Sequence, residues 1–131
     1  MIYIDTSAFF AMISFDDPNH DVAVETWTKL IENNERVICN NYILVESIAL
    51  IQSRIGMEAV AVLHNDIIPF VDVEWLDEDS HNAIMEMVIR TNRRVISLVD
   101  QASFNTMRRH RINTAFTFDE HFSEQGFESI P

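Results

Sequence analysis

Four carboxylates stand where they could do chemistry. Asp5 follows the apolar run Ile2-Tyr3-Ile4, Asp100 follows Val95-Ile96-Ser97-Leu98-Val99, and Asp119 follows Ala115-Phe116-Thr117-Phe118. Each run is short, apolar and bounded by polar residues, so each reads as a buried strand with an acid at its C-terminal end. In an open α/β sheet, ligands bind in the crevice beyond those ends. The fourth acid, Glu46, is the one charged residue in the stretch Tyr42–Ile51. That stretch is apolar on most sides of a helix and is expected to be largely buried. A lone ionised carboxylate is too costly to bury, so Glu46 there requires a cation or a basic partner. Carboxylate oxygens are hard ligands suited to Mg²⁺ or Mn²⁺. Acids held close together repel one another, and a bound cation removes that repulsion. The expectation is that Asp5, Glu46, Asp100 and Asp119 converge on divalent metal. Two such metals, about 3.5–4 Å apart, can hold a phosphodiester, generate hydroxide and stabilise the leaving oxygen.

The elements that must position these acids follow from periodicity. After the first strand, Thr6 or Ser7 can cap a short helix over Ala8–Ile13. Asp16-Asp17-Pro18-Asn19-His20 opens a second helix, with Val22, Val24, Trp27, Leu30 and Ile31 as its apolar stripe. Arg36–Cys39 reads as a strand, and Asn40 or Asn41 caps the helix that carries Glu46 as far as about Arg54. Gly56 breaks the chain before a helix from Met57 to about Asp66. Phe70–Trp75 alternates like a strand, with Asp72 and Glu74 on its solvated side. Asp77-Glu78-Asp79-Ser80 starts a helix whose buried stripe is Ile84, Met85, Val88 and Ile89. A helix over about Gln101–Arg109 follows Asp100, and an aspartate there also suits a cap. Phe127–Ile130 is a short last strand. Strands and helices alternate throughout, which predicts a three-layer α/β/α sandwich with a mostly parallel sheet, in one domain over 1–131.

Composition narrows the function classes. Of 131 residues, 47% are hydrophobic, enough for one core. There is no basic-then-apolar leader and no apolar segment of membrane-spanning length, so the expectation is a cytoplasmic chain with no membrane partner. Cys39 is the single cysteine, which rules out an internal disulfide and a cysteine zinc site. It reads as a small buried hydrophobe. The formal net charge of −12 argues against a protein that coats nucleic acid. It leaves a nuclease open, since metal masks acids. Two arginine clusters, Arg90, Arg93 and Arg94, and Arg108, Arg109 and Arg111, can contact phosphates locally, or can simply complement helix C-termini. A basic protein partner suits the acidic surface equally well.

The motifs taken together resemble the PIN domain family, and most closely its VapC-type ribonuclease toxins of bacterial toxin–antitoxin pairs. The resemblance rests on Ile4-Asp5-Thr6-Ser7-Ala8, on Glu46-Ser47-Ile48, and on Ser97-Leu98-Val99-Asp100-Gln101-Ala102-Ser103-Phe104. It continues through Thr114-Ala115-Phe116-Thr117-Phe118-Asp119-Glu120-His121-Phe122 and Gly126-Phe127. It spans essentially the whole chain, and the order and spacing of the motifs carry it. It implies an α/β/α fold and Mg²⁺- or Mn²⁺-dependent endonucleolytic cleavage of RNA. By motif, Asp5, Glu46, Asp100 and Asp119 would be the metal ligands. Thr6, Ser7 and Thr117 would orient carboxylates from behind, a role hydroxyls suit; capping or strand-face hydrogen bonding is the plainer role for them. The resemblance also implies a homodimer and inhibition by a cognate antitoxin.

Other chemistries lack residues they need. A receiver-type phosphorylation domain requires a lysine after a late strand, but the one lysine, Lys29, lies early. A haloacid-type phosphatase would want an aspartate where Ser7 stands. Zinc hydrolysis needs paired histidines, whereas His20, His64, His81, His110 and His121 are scattered and read as surface residues. The remaining rival is a PIN fold turned binding or assembly module, with little turnover.

Overall fold

The computed structural model describes all 131 residues. Its elements, in order, are β1 (Ile2–Ile4), α1 (Thr6–Ile13), α2 (His20–Glu32), β2 (Val37–Asn40), α3 (Asn41–Arg54) and α4 (Met57–Val62). A π-helical turn (Leu63–Ile67) and a 3-10 turn (Ile68–Phe70) lead into β3 (Val71–Glu74). Then come α5 (Glu78–Thr91), α6 (Leu98–Arg109), β4 (Thr114–Phe116), α7 (His121–Glu124) and β5 (Glu128–Ile130). The five strands form one sheet in the order β3-β2-β1-β4-β5, and every neighbouring pair is parallel. Helices flank it as an α/β/α sandwich, as a parallel sheet requires, because both of its faces must be covered.

The central strands are short and dry. Tyr3, Ile4, Ala115 and Phe116 are fully buried, and all four residues of β2 are buried. Cys39 lies among them, and burial pushes its thiol up to about 12. The chain leaves β1 toward β2 and β3 on one side, then returns to β4 and β5 on the other. The order therefore reverses between β1 and β4, and the crevice beyond that switch point is where this architecture binds ligands. Backbone pairing carries on past the strands there: the Asp5 N–H donates to Phe116 O (3.2 Å), and the Thr117 N–H to Ile130 O (3.1 Å).

Several expectations change. Val95–Val99 is not a strand. Val95 is 61% exposed, and α6 begins at Leu98 with Ser97 as its cap. The Asp100 N–H donates to Ser97 Oγ and the Ser97 N–H to Asp100 Oδ2, each at 3.0 Å. This capping box satisfies the first turn locally, and so decides for helix where apolarity suggested strand. The strand at Ala115 ends at Phe116, so Thr117 and Phe118 belong to the loop before Asp119. Asp5 itself caps α1, which places Thr6 and Ser7 in the first turn. The α4 helix ends at Val62, where the chain widens into the π turn.

Three helices bury narrower stripes than their apolar residues suggested. Only Ala23 and Leu30 of α2 are buried, with Trp27 packing partly against the core, while Val22 and Val24 are exposed. In α5 only Ile84 is buried, and Ile89 faces solvent. In α3 the buried residues are Ile43, Ser47 and Ile51, one per turn along a single face. Glu46 lies off that face and is exposed, so its expected burial is overturned. The expectation that Glu74 is solvated also changes. It is half-buried and binds both Arg109 and His110 Nε2 (2.7 Å to the latter), tying β3 to the end of α6. Asp72 does stand in solvent, paired with Arg36 at 2.7 Å.

Candidate active site

Asp5 lies at the C-terminal end of β1 and is 6% exposed. Its Oδ1 accepts the Thr6 N–H at 2.7 Å, which is the cap of α1. Its Oδ2 accepts two hydroxyls, Ser7 Oγ at 2.7 Å and Thr117 Oγ1 at 2.8 Å. Each hydroxyl has one proton to give and free lone pairs to offer. Ser7 Oγ accepts the Phe118 N–H at 2.9 Å, and Thr117 Oγ1 accepts the Asp119 N–H at 3.0 Å. The two hydroxyl oxygens are themselves 3.3 Å apart, with both protons already committed to Asp5. One carboxylate thus fixes the loop after β4 to the start of α1. Thr6 contributes its N–H, and its hydroxyl accepts from Ser47 Oγ of α3 (3.1 Å).

Burial pushes the Asp5 carboxyl up to about 6. The Ser7 and Thr117 hydroxyls and the Thr6 N–H act the other way, whereas the negative charge of Asp119 adds to the rise. A group held between these influences at neutral pH is typical of a functional cleft.

Asp119, Asp100 and His121 stand in front of this network, each half-buried, with one ligand atom apiece lying within 4.8 Å of one another. The His121 N–H donates to Asp119 Oδ1 at 2.9 Å, which sets that carboxylate's orientation. The ring Nδ1 of His121 lies 3.1 Å from Asp119 Oδ1 and 3.9 Å from Asp100 Oδ2. That nitrogen is buried and has no hydrogen-bond partner. Asp100 arrives from the first turn of α6, held by its capping box. The helix is in turn tied to the sheet, since Tyr3 Oη donates to Ser103 Oγ (2.8 Å) and Asn40 Nδ2 to Thr106 Oγ1 (3.2 Å). Asp100 is therefore both a cap and a site residue.

An unpartnered buried nitrogen facing two carboxylates is a donor set that fits a divalent cation, with the hydrogen-bonded Asp5 behind it. Of the four acids expected to converge, the structure clusters Asp100 with Asp119, and Asp5 is linked to Asp119 through Thr117 Oγ1 without joining the clustered donors. Glu46 is exposed on α3 and is not among the clustered donors. His121 was missed. Read as a surface residue, it is instead part of the cluster. Its position two residues beyond Asp119, at the start of a short helix, was the available signal.

The arginine clusters divide. Arg108 lies over the rings of Phe104 and Phe127 and donates to Gln125 Oε1 (2.8 Å), and Arg109 binds Glu74. Arg93 is 3.8 Å from Glu124. Arg90, Arg94 and Arg111 are exposed with no acidic partner.

Comparison with known proteins accords with this geometry. The PIN domain model matches residues 2–128. The 23S rRNA-specific endonuclease VapC20 of Mycobacterium tuberculosis, in strains CDC 1551 and H37Rv, is 32% identical over 131 residues, covering 99% of this chain and 98% of that protein. A crystal structure of Mycobacterium tuberculosis VapC20, described as a sarcin-ricin loop cleaving toxin, superposes with a TM-score of 0.85 at 30% identity, covering 97% of this chain and 96% of that one. With an all-parallel sheet, acids gathered at its switch point and a family match over nearly every residue, the chain belongs to the PIN domain family.

Proposed function

We propose that this protein is a divalent-metal-dependent endoribonuclease, the toxin of a VapC-type toxin–antitoxin pair. The observation that carries the reading is the gathering of Asp100, Asp119 and His121 in front of the hydroxyl-clamped Asp5. The likeness to an rRNA endonuclease along the full chain supports it. Mg²⁺ or Mn²⁺, when bound, supplies Lewis-acid polarisation of a phosphoryl oxygen and lowers the pKa of attacking water. Asp5, Asp100 and Asp119 would hold it, and Glu46, exposed on α3, would join them as a further ligand through water. Ser7 and Thr117 keep Asp5 in one orientation, and the His121 N–H does so for Asp119. Of the two arginine clusters, Arg90, Arg94 and Arg111 are the members free to contact the RNA backbone, and such contacts position a substrate without reading its sequence.

The relative's name makes 23S rRNA the first substrate to try. A basic antitoxin segment suits a chain of net charge −12. A homodimer working in the cytoplasm completes the proposal. No helix is long and apolar enough to cross a membrane. The test is incubation of ribosomes and of total RNA with the purified chain and either metal. Discrete fragments from 23S rRNA that disappear with EDTA support the proposal. Intact RNA in every condition, from a folded metal-binding protein, overturns it in favour of a binding module.

A further inference from the structure

We propose that His121 is itself a metal ligand, through Nδ1, and that it biases the site toward Mn²⁺ over Mg²⁺. This rests on the metal-site reading above and adds a nitrogen ligand to the carboxylates assigned to hold the ion there.

The argument begins with a contact that is close yet unsatisfied. Nδ1 of His121 and Oδ1 of Asp119 are 3.1 Å apart, but the ring is not aligned for a hydrogen bond, and Nδ1 has no partner anywhere. A buried polar atom left unpaired is rare and calls for a reason. The spacing supplies one. With metal–ligand bonds of about 2.0–2.1 Å, neighbouring ligands of an octahedron are about 3 Å apart and opposite ones about 4.2 Å. The Asp119–His121 separation matches the first distance, and the 3.9 Å from Nδ1 to Asp100 Oδ2 falls between the two. The histidine backbone helps, because its N–H holds Asp119 Oδ1 while its ring faces the same space. The required tautomer carries its proton on Nε2, which leaves the Nδ1 lone pair free.

Ligand chemistry gives the preference. Both ions suit oxygen donors, but Mg²⁺ is the harder and geometrically stricter of the two, while Mn²⁺, at the low end of the first-row transition series, tolerates an imidazole nitrogen better. Replacing one oxygen of the set by nitrogen therefore favours Mn²⁺ relative to Mg²⁺.

The test is pulsed electron paramagnetic resonance of the purified chain with one equivalent of Mn²⁺. Unlabelled protein and protein carrying ¹⁵N-histidine are compared with His121→Gln, His121→Asn and Asp119→Asn. The expected result is a directly bound nitrogen in wild type that changes to the ¹⁵N pattern on labelling and is absent from both His121 variants. His121→Gln should lose about 10-fold or more in Mn²⁺ affinity, by the scale of losses around metal sites. Its Mg²⁺ affinity should fall by less. His121→Asn places an amide oxygen near the Nδ1 position and should recover part of the binding without the nitrogen signal. Stoichiometric Mn²⁺ that is lost in Asp119→Asn but shows no nitrogen overturns the histidine ligand and leaves the acid site standing. No bound Mn²⁺ in wild type overturns both. If His121→Gln fails to fold by circular dichroism, the labelled and unlabelled wild-type spectra decide alone.

Discussion

Asp5 is at once the most buried and the most hydrogen-bonded acid of the site, and the two properties oppose each other. Burial raises its carboxyl to about 6 against an ordinary 3.8, while Ser7, Thr117 and the Thr6 N–H hold the charged form. The sign of the consequence is fixed by linkage. Between about pH 4 and pH 6 the folded chain keeps a proton that the unfolded chain has released. Metal-free stability from this group is therefore full below about pH 4 and is lost as pH rises through about 6. The total is roughly 3 kcal/mol at 1.36 kcal/mol per decade. Urea denaturation in EDTA at a series of pH values checks it, with Asp5→Asn as the reference. The difference between the two profiles should fall across that window and then level off. The same substitution should lower RNA cleavage by more than about 100-fold, beyond the loss usual for groups behind a metal ligand. Thr117→Val keeps the shape and removes the hydroxyl that serves both Asp5 and Asp119. It should cost about 1–3 kcal/mol in denaturant stability and about 10–100-fold in kcat/KM.

At the scale of elements, α6 carries the most consequence. Its capping box, its bond to Tyr3 and its bond to Asn40 together deliver Asp100 to the switch point. Ser97→Ala removes one half of the box and should destabilise the chain by about 0.5–2 kcal/mol. Activity should fall less than in Asp100→Asn, which calorimetry and cleavage assays on the same preparations can compare. This helix also shows where the sequence is legible and where it is not. The strands Ile2–Ile4, Val37–Asn40 and Thr114–Phe116 were readable because burial on both faces leaves a short apolar run between polar bounds, and Val71–Glu74 because its solvent-facing edge position leaves an alternating pattern. Val95–Val99 has the same composition, but the hydrogen bonds of Ser97 and Asp100 override it. Glu46 misled for a related reason. A helix rich in apolar residues is buried only along the face that meets the core, and α3 has more such residues than that face can use. Asp5, Asp100 and Asp119 were legible as acids after apolar runs, even though one of those runs proved to be a helix start. His121 was harder to read, because its one signal was its place two residues beyond Asp119, and its approach to Asp100 arises only when α6 and the loop after β4 meet.

For the whole molecule the governing number is the net charge of −12. Such a chain gains little from general attraction to RNA, so binding must depend on a few local cations. Arg90, Arg94 and Arg111 have no acidic partner, while Arg108 and Arg109 are occupied in packing and pairing. Arg94→Glu should therefore weaken binding of a catalytically inactive variant to RNA, and should reduce the dependence of log K on log salt by about one phosphate contact. Arg108→Ala should chiefly lower stability. A titration of RNA affinity against salt distinguishes the two. Gathering acids at one end of the sheet also predicts that Mg²⁺ or Mn²⁺ raises the melting temperature saturably, whereas equal ionic strength of KCl does not.

The central claim is that Asp5, Asp100 and Asp119 form one metal-dependent centre that cuts RNA. The most direct measurement is cleavage of end-labelled total RNA and of intact ribosomes by the purified chain, with Mn²⁺, with Mg²⁺ and with EDTA, beside Asp100→Asn. The account predicts discrete fragments that require metal and vanish in the variant. Fragments that persist in EDTA, or that Asp100→Asn produces at the wild-type rate, would contradict it.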